Sequence, residues 1–89
     1  MLYLITYDLR SPGRDYSNLY SAIKGLERWW HYLDSTWIVN SPNDPATLTT
    51  MLRQYMDTND SLLVVDITGR KRWGWLPKEA WDWLSRNDN

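Results

Sequence analysis

The residues Met1-Leu2-Tyr3-Leu4-Ile5-Thr6-Tyr7-Asp8-Leu9-Arg10 decide the fold. A continuous apolar run that closes on an acid reads as a strand buried on both faces, with Leu2 and Leu4 on one side and Tyr3, Ile5 and Tyr7 on the other. Asp8 then stands at the strand's mouth. Ser11-Pro12-Gly13 turns the chain directly afterwards, because proline fixes φ and glycine accepts backbone angles that other residues avoid. A carboxylate at the end of a buried strand, beside a loop, is a candidate for chemistry and equally a turn or cap acid.

Downstream of the turn, Asp15 or Ser17 can cap a helix running from about Tyr16 to Glu27, with Leu19, Ala22, Ile23 and Leu26 on one face. The aromatic stretch from Arg28 to Asn40 is long for one strand. It reads as two, about Trp29 to Leu33 and Thr36 to Val39, joined by a tight bend or bulge at Asp34 and Ser35. A single bent strand is the alternative. Ser41-Pro42-Asn43-Asp44-Pro45 then leads into a second helix carrying Leu48, Met51, Leu52, Tyr55 and Met56 at helical spacing. Ser61 to Thr68 is the last clear strand, stopped by Gly69.

This order predicts an α+β fold, a ferredoxin-like βαββαβ unit with a four-stranded antiparallel sheet and two helices on one face. The helix-free face is too apolar to stay in water. A second copy related by a two-fold axis is predicted to cover it through Tyr3, Ile5, Tyr7, Trp30 and Trp37. Residues 70–89 form a docking tail in which Pro77 opens a short C-terminal helix. So short a helix needs a surface to dock on, and Trp73, Trp75, Leu76, Trp81 and Leu84 are expected to pin it to the sheet edge or to the other subunit.

Eighty-nine residues amount to one domain, 1–89, with a small core. The chain has no cysteine and a single histidine. That excludes a disulfide framework and both thiolate and histidine-rich zinc sites, and it suits a reducing cytosol. No apolar run approaches the roughly 20 residues of a membrane span, and no signal peptide is expected because strand-like sequence follows Met1 at once. A net charge of −1 provides no global attraction to nucleic acid, so any such binding falls to a local patch. Seven Trp and six Tyr with no Phe suit interfaces and nucleic-acid surfaces, and equally a small core that must fill volume with few residues.

Three constellations carry candidate chemistry. Asp8 alone is a poor metal site. Two copies facing each other across a dimer axis can instead share Mg²⁺ or Mn²⁺ and leave room for a phosphate and a water. Arg70, Lys71, Arg72 and Trp73 combine phosphate neutralisation with base stacking, and Arg10 and Arg14 extend that patch. A charged edge that prevents sheet-to-sheet aggregation accounts for the same cations. His31, between aromatics in a strand, suits a structural role. The chain has neither a Gly-x-Ser-x-Gly elbow nor a phosphate-cradling glycine loop.

Tyr7-Asp8 closing the first strand, followed by a helix and then Ser35-Thr36-Trp37 within an aromatic strand pair, resembles the small CRISPR-associated adaptation protein family. Virulence-associated protein D, a ribonuclease toxin group, shares this plan. The Tyr-Leu-Ile-Thr-Tyr-Asp-Leu opening, the Trp-Trp-His-Tyr-Leu core and the Gly-Trp-Leu-Pro tail look closer still to bacterial and phage SinR-like proteins, over nearly the whole length. The resemblance implies a ferredoxin-like homodimer in which Asp8 matches a strand-end aspartate associated with metal-dependent nuclease activity in some members, while others are nucleic-acid-binding scaffolds. Ser35 would match the serine of the family's Ser-Val-Phe-Glu pattern and Trp37 its phenylalanine, whereas Ile38 replaces the glutamate. Two functions follow as expectations. One is a metal-dependent endoribonuclease or endodeoxyribonuclease, or a binding scaffold for RNA or DNA; the other is a non-enzymatic protein-interaction module in phage defence or counter-defence.

Overall fold

Strand β1 (Leu2–Asp8) is the sheet's inner axis, hydrogen-bonded antiparallel to β3 (Thr36–Asn40) on one side and β4 (Ser61–Asp66) on the other. Strand β2 (Arg28–Leu33) pairs with β3, so the order is β2-β3-β1-β4, all antiparallel. This computed structural model describes residues 1–88, and its α+β plan is the ferredoxin-like one. The turn at Asp34–Ser35 separates two strands as expected, and a register irregularity lies just before it, between Trp30 and Leu33.

Side chains alternate across β1, and both of its faces are used. Tyr3, Ile5 and Tyr7 join Trp37 and Val39 against Leu19 and Ile23 of α1 (Ser17–Lys24) and Leu48 and Leu52 of α2 (Pro45–Arg53). Helix α1 stops three residues short of the expected Glu27. The Gly25 N–H closes its last turn on the Ser21 carbonyl at 2.9 Å, and β2 begins at Arg28. At the start of α2, Asp44 accepts from the Thr47 N–H at 2.8 Å and Pro45 occupies the first turn, the preferred chemistry at both positions.

The opposite face holds a second core. Leu2, Trp30 and Ile38 pack against Ala80 and Leu84 of α3 (Lys78–Asn87). Fully burying a side chain such as Leu84 contributes about 1.5–3 kcal/mol, enough to hold a helix too short to persist alone. Three hydrogen bonds fix its position. The Trp30 indole N–H donates to the Ala80 carbonyl at 3.1 Å, Arg28 to the Asn87 side-chain oxygen at 2.8 Å, and the Asn40 amide to the Asn87 carbonyl at 2.6 Å.

Two expectations are corrected here. Tyr3, Ile5, Tyr7, Trp30 and Trp37 do not face a second copy, since none is more than 9% exposed within the protomer itself. The first three and Trp37 lie beneath α1 and α2, and Trp30 lies beneath α3. Trp73 and Trp75 do not pin the tail, because they are 86% and 100% exposed; Leu76, Trp81 and Leu84 do the docking. Between Trp73 and Trp75, Gly74, itself exposed, stands against the Trp81 ring, which lies 3.7 Å from where a Cβ on Gly74 would be. The expected tail thus consists of a strap and α3, with residue 89 outside the described residues. Among the described residues no helix is long and apolar enough to cross a membrane.

Candidate functional site

Helix α3 covers only one end of its face of the sheet. At the other end Thr6 and Asp8 of β1 lie beside Leu63 of β4 and Leu33 and Thr36 of the β2–β3 hairpin. Leu63, Leu33 and Val65 are 57%, 48% and 39% exposed. A hollow of about 250 Å³ opens there, lined by Thr6, Tyr7, Asp8, Ser61, Leu62 and Leu63.

Asp8 lies opposite Ser61, exposed, with Arg10 bonded to its carboxylate at 3.0 Å. The same guanidinium donates to the Asn59 carbonyl at 3.2 Å and the Ser61 hydroxyl at 3.1 Å. Arg10 therefore belongs to a protein network. Arg14 is similarly occupied, pairing with Asp57 at 2.8 Å and lying 5.5 Å from the centre of the Tyr16 ring.

Asp60, which its place just before the last strand already puts near the end of the first, anchors a loop tie next to this end. The Asp60 carboxylate accepts the Arg10 backbone N–H at 2.7 Å, the Asp57 N–H at 2.8 Å and the Tyr16 hydroxyl at 2.8 Å, while Ser11 donates to Asp57. Burial disfavours the charge on Asp60, but these donors outweigh it and hold the carboxyl below its ordinary range. Tyr16 is pushed the other way, by burial and then by its bond to Asp60. The one available signal was Asp57-Thr58-Asn59-Asp60, dense in acceptors and directly preceding a strand paired with the loop's own strand.

His31 is stacked on Trp37 with ring centres 3.6 Å apart, and its Nε2 bonds to the Asp34 carbonyl at 3.1 Å. The Ser35 carbonyl accepts from the Tyr7 N–H at 3.2 Å and the Thr6 hydroxyl at 3.2 Å, a role in the hairpin rather than in a reaction centre.

The basic segment lies on the strap. Arg72 is committed internally, with bonds to Asp88 at 2.8 Å, to the Ile67 carbonyl at 3.2 Å and to the Arg70 carbonyl at 3.1 Å. Arg70 and Lys71 are exposed beside Trp73. Of the six residues expected to contact nucleic acid, Arg70, Lys71 and Trp73 face solvent, as does Trp75; Arg10 and Arg14 are exposed too but are engaged in ion pairs, and Arg72 is half-buried in its bonds to Asp88 and the Ile67 and Arg70 carbonyls.

No family model and no curated protein matches the chain. Asp8 with its one cation offers a single carboxylate for a metal, and among the described residues no three histidine, aspartate or glutamate side chains converge into a metal-holding group.

Proposed function

We propose that the chain is a homodimeric nucleic-acid-binding scaffold that holds a single strand on its C-terminal strap. The observation that carries this reading is the pair of outward indoles, Trp73 and Trp75, beside the exposed Arg70 and Lys71. Aromatic platforms stack successive bases whatever their sequence, and adjacent cations neutralise the backbone. This local patch also suits a chain whose total charge is −1. The resemblance to the CRISPR-associated adaptation family supports a dimeric scaffold in a cytosolic setting.

Dimerisation is assigned to β4, an edge strand. The Ile67 N–H donates to the Leu2 carbonyl, and the Tyr7 N–H to the Ser35 carbonyl. Even-numbered residues of β1 therefore bond toward β4, and Leu62, Val64 and Asp66 turn their backbone groups outward. The strand carries no proline, lysine or bulge to blunt it. An antiparallel copy centred on Val64 pairs these outward groups and brings the exposed Leu63 opposite Val65 of the second copy.

The test is fluorescence anisotropy with labelled single-stranded RNA, single-stranded DNA and duplex, alongside sedimentation velocity. Preferential binding of single strands that is lost in Trp73→Ala/Trp75→Ala supports the reading. Unchanged binding in that variant, or no binding at low salt, overturns it.

The hollow at Asp8 favours a second reading, a nuclease using Mg²⁺ or Mn²⁺ held between two Asp8 carboxylates. It requires the two sheets to meet face to face, because edge pairing leaves the acids at opposite ends of the joined strands. Cleavage that needs Mg²⁺ and vanishes in Asp8→Asn would select it over the scaffold.

A further inference from the structure

Under the strap, on the α3 side of the sheet, lies a half-open cavity of about 210 Å³. Its walls are Leu4, Leu33, Ile38, Leu76 and Leu84 with the ring of Trp81, while Arg70, Lys71 and Arg72 stand along the strap side. The position of this mouth is fixed, since Arg72 ties the strap to Asp88 at 2.8 Å and Gly69 donates its N–H to the same carboxylate at 2.8 Å. Arg70 and Lys71 remain exposed. An apolar void of about 150 Å³ suffices to take up benzene, so this one is large enough for a small guest. Ligand sites characteristically combine such walls with a few polar groups that fix orientation.

We propose that this cavity binds a small amphiphilic anion, its alkyl or aryl body among the leucines and its acidic head toward Arg70 and Lys71. Charge complementarity selects the head. An alkyl ammonium would meet two like charges, and a nucleobase would bury hydrogen-bonding edges against walls that offer them few partners. The inference is independent of the scaffold reading but touches it, because head group and phosphate would draw on the same two cations. An occupied cavity should weaken strand binding.

Octanoate is the probe, with acetate and octyltrimethylammonium as controls, followed by the indole N–H signals of Trp30 and Trp81 in ¹H–¹⁵N spectra. Trp29, on the other face, is the internal reference. Saturable shifts at Trp30 and Trp81 but not Trp29 are expected, with affinity about tenfold lower in Arg70→Glu/Lys71→Glu and for the cationic control. Leu33→Trp, at a partly exposed rim position, should fill the space and abolish the shifts; Leu4→Phe serves if that variant misfolds. Equal affinity for anion and cation, equal response of Trp29, binding retained in the filled variant, or no saturable shift would each overturn the proposal. A protein that binds octanoate yet no nucleic acid would refute the scaffold alone, and the reverse result would refute the cavity alone.

Discussion

The Trp30 indole N–H meets the Ala80 carbonyl at 3.1 Å across 50 residues of chain, and this bond joins the β2 edge of the sheet to the first turn of α3. Both groups lie in the second core, where a donor removed from its acceptor is not replaced by water.

Trp30→Phe keeps an aromatic body but leaves the Ala80 carbonyl without this donor. The expected cost is about 1–3 kcal/mol by urea denaturation, with faster proteolysis within the strap as α3 loosens.

Replacing Trp73 and Trp75 by alanine should leave stability within about 0.5 kcal/mol, since both rings are in water. Single-strand affinity should fall by about 1–3 kcal/mol per ring, measured by anisotropy at fixed salt.

The contrast between these variants marks where the sequence was legible. Continuous apolar runs in β1 and β4 and helical spacing at Leu48, Met51 and Leu52 announced the sheet and its helices, because burial acts on every residue of an element at once, although α2 ends at Arg53, short of Tyr55 and Met56. Which face of β1 would receive α1 and α2 was not legible. Leu2 and Leu4 are as apolar as Ile5, and a strand buried on both sides carries no asymmetry to read. The strap was misread for a related reason. Trp73 and Trp75 have the composition of anchors, but which tail residues meet the core depends on how the folded tail lies on the sheet, and there Leu76 and Trp81 make the contact. The ties from the guanidinium groups of Arg10, Arg14 and Arg72 to acceptors far along the chain were likewise invisible.

Leu63→Lys places a charge on the exposed edge strand. The folded protomer should change by no more than about 0.5 kcal/mol, while a dimer joined through β4 should shift to monomer in sedimentation velocity.

Asp60 gives a pH signature. Its folded pKa lies below the unfolded value of about 3.9, so its stabilisation is complete above that value and is lost as pH falls through the folded pKa. The Tm of Asp60→Asn should therefore lie below wild type near neutrality. The gap should close as pH falls through the folded pKa, below which the wild-type carboxyl is also neutral. A gap that persists unchanged into acid would remove the carboxylate from the loop tie.

The outward indoles of the strap also furnish a built-in optical probe. Trp30 and Trp37 are buried, whereas Trp73 and Trp75 are almost wholly in water, so the red edge of the intrinsic emission should come chiefly from two rings on one short segment. Iodide should quench that edge first. Anything that settles on the strap should shield it, and occupancy can then be followed on the unlabelled molecule.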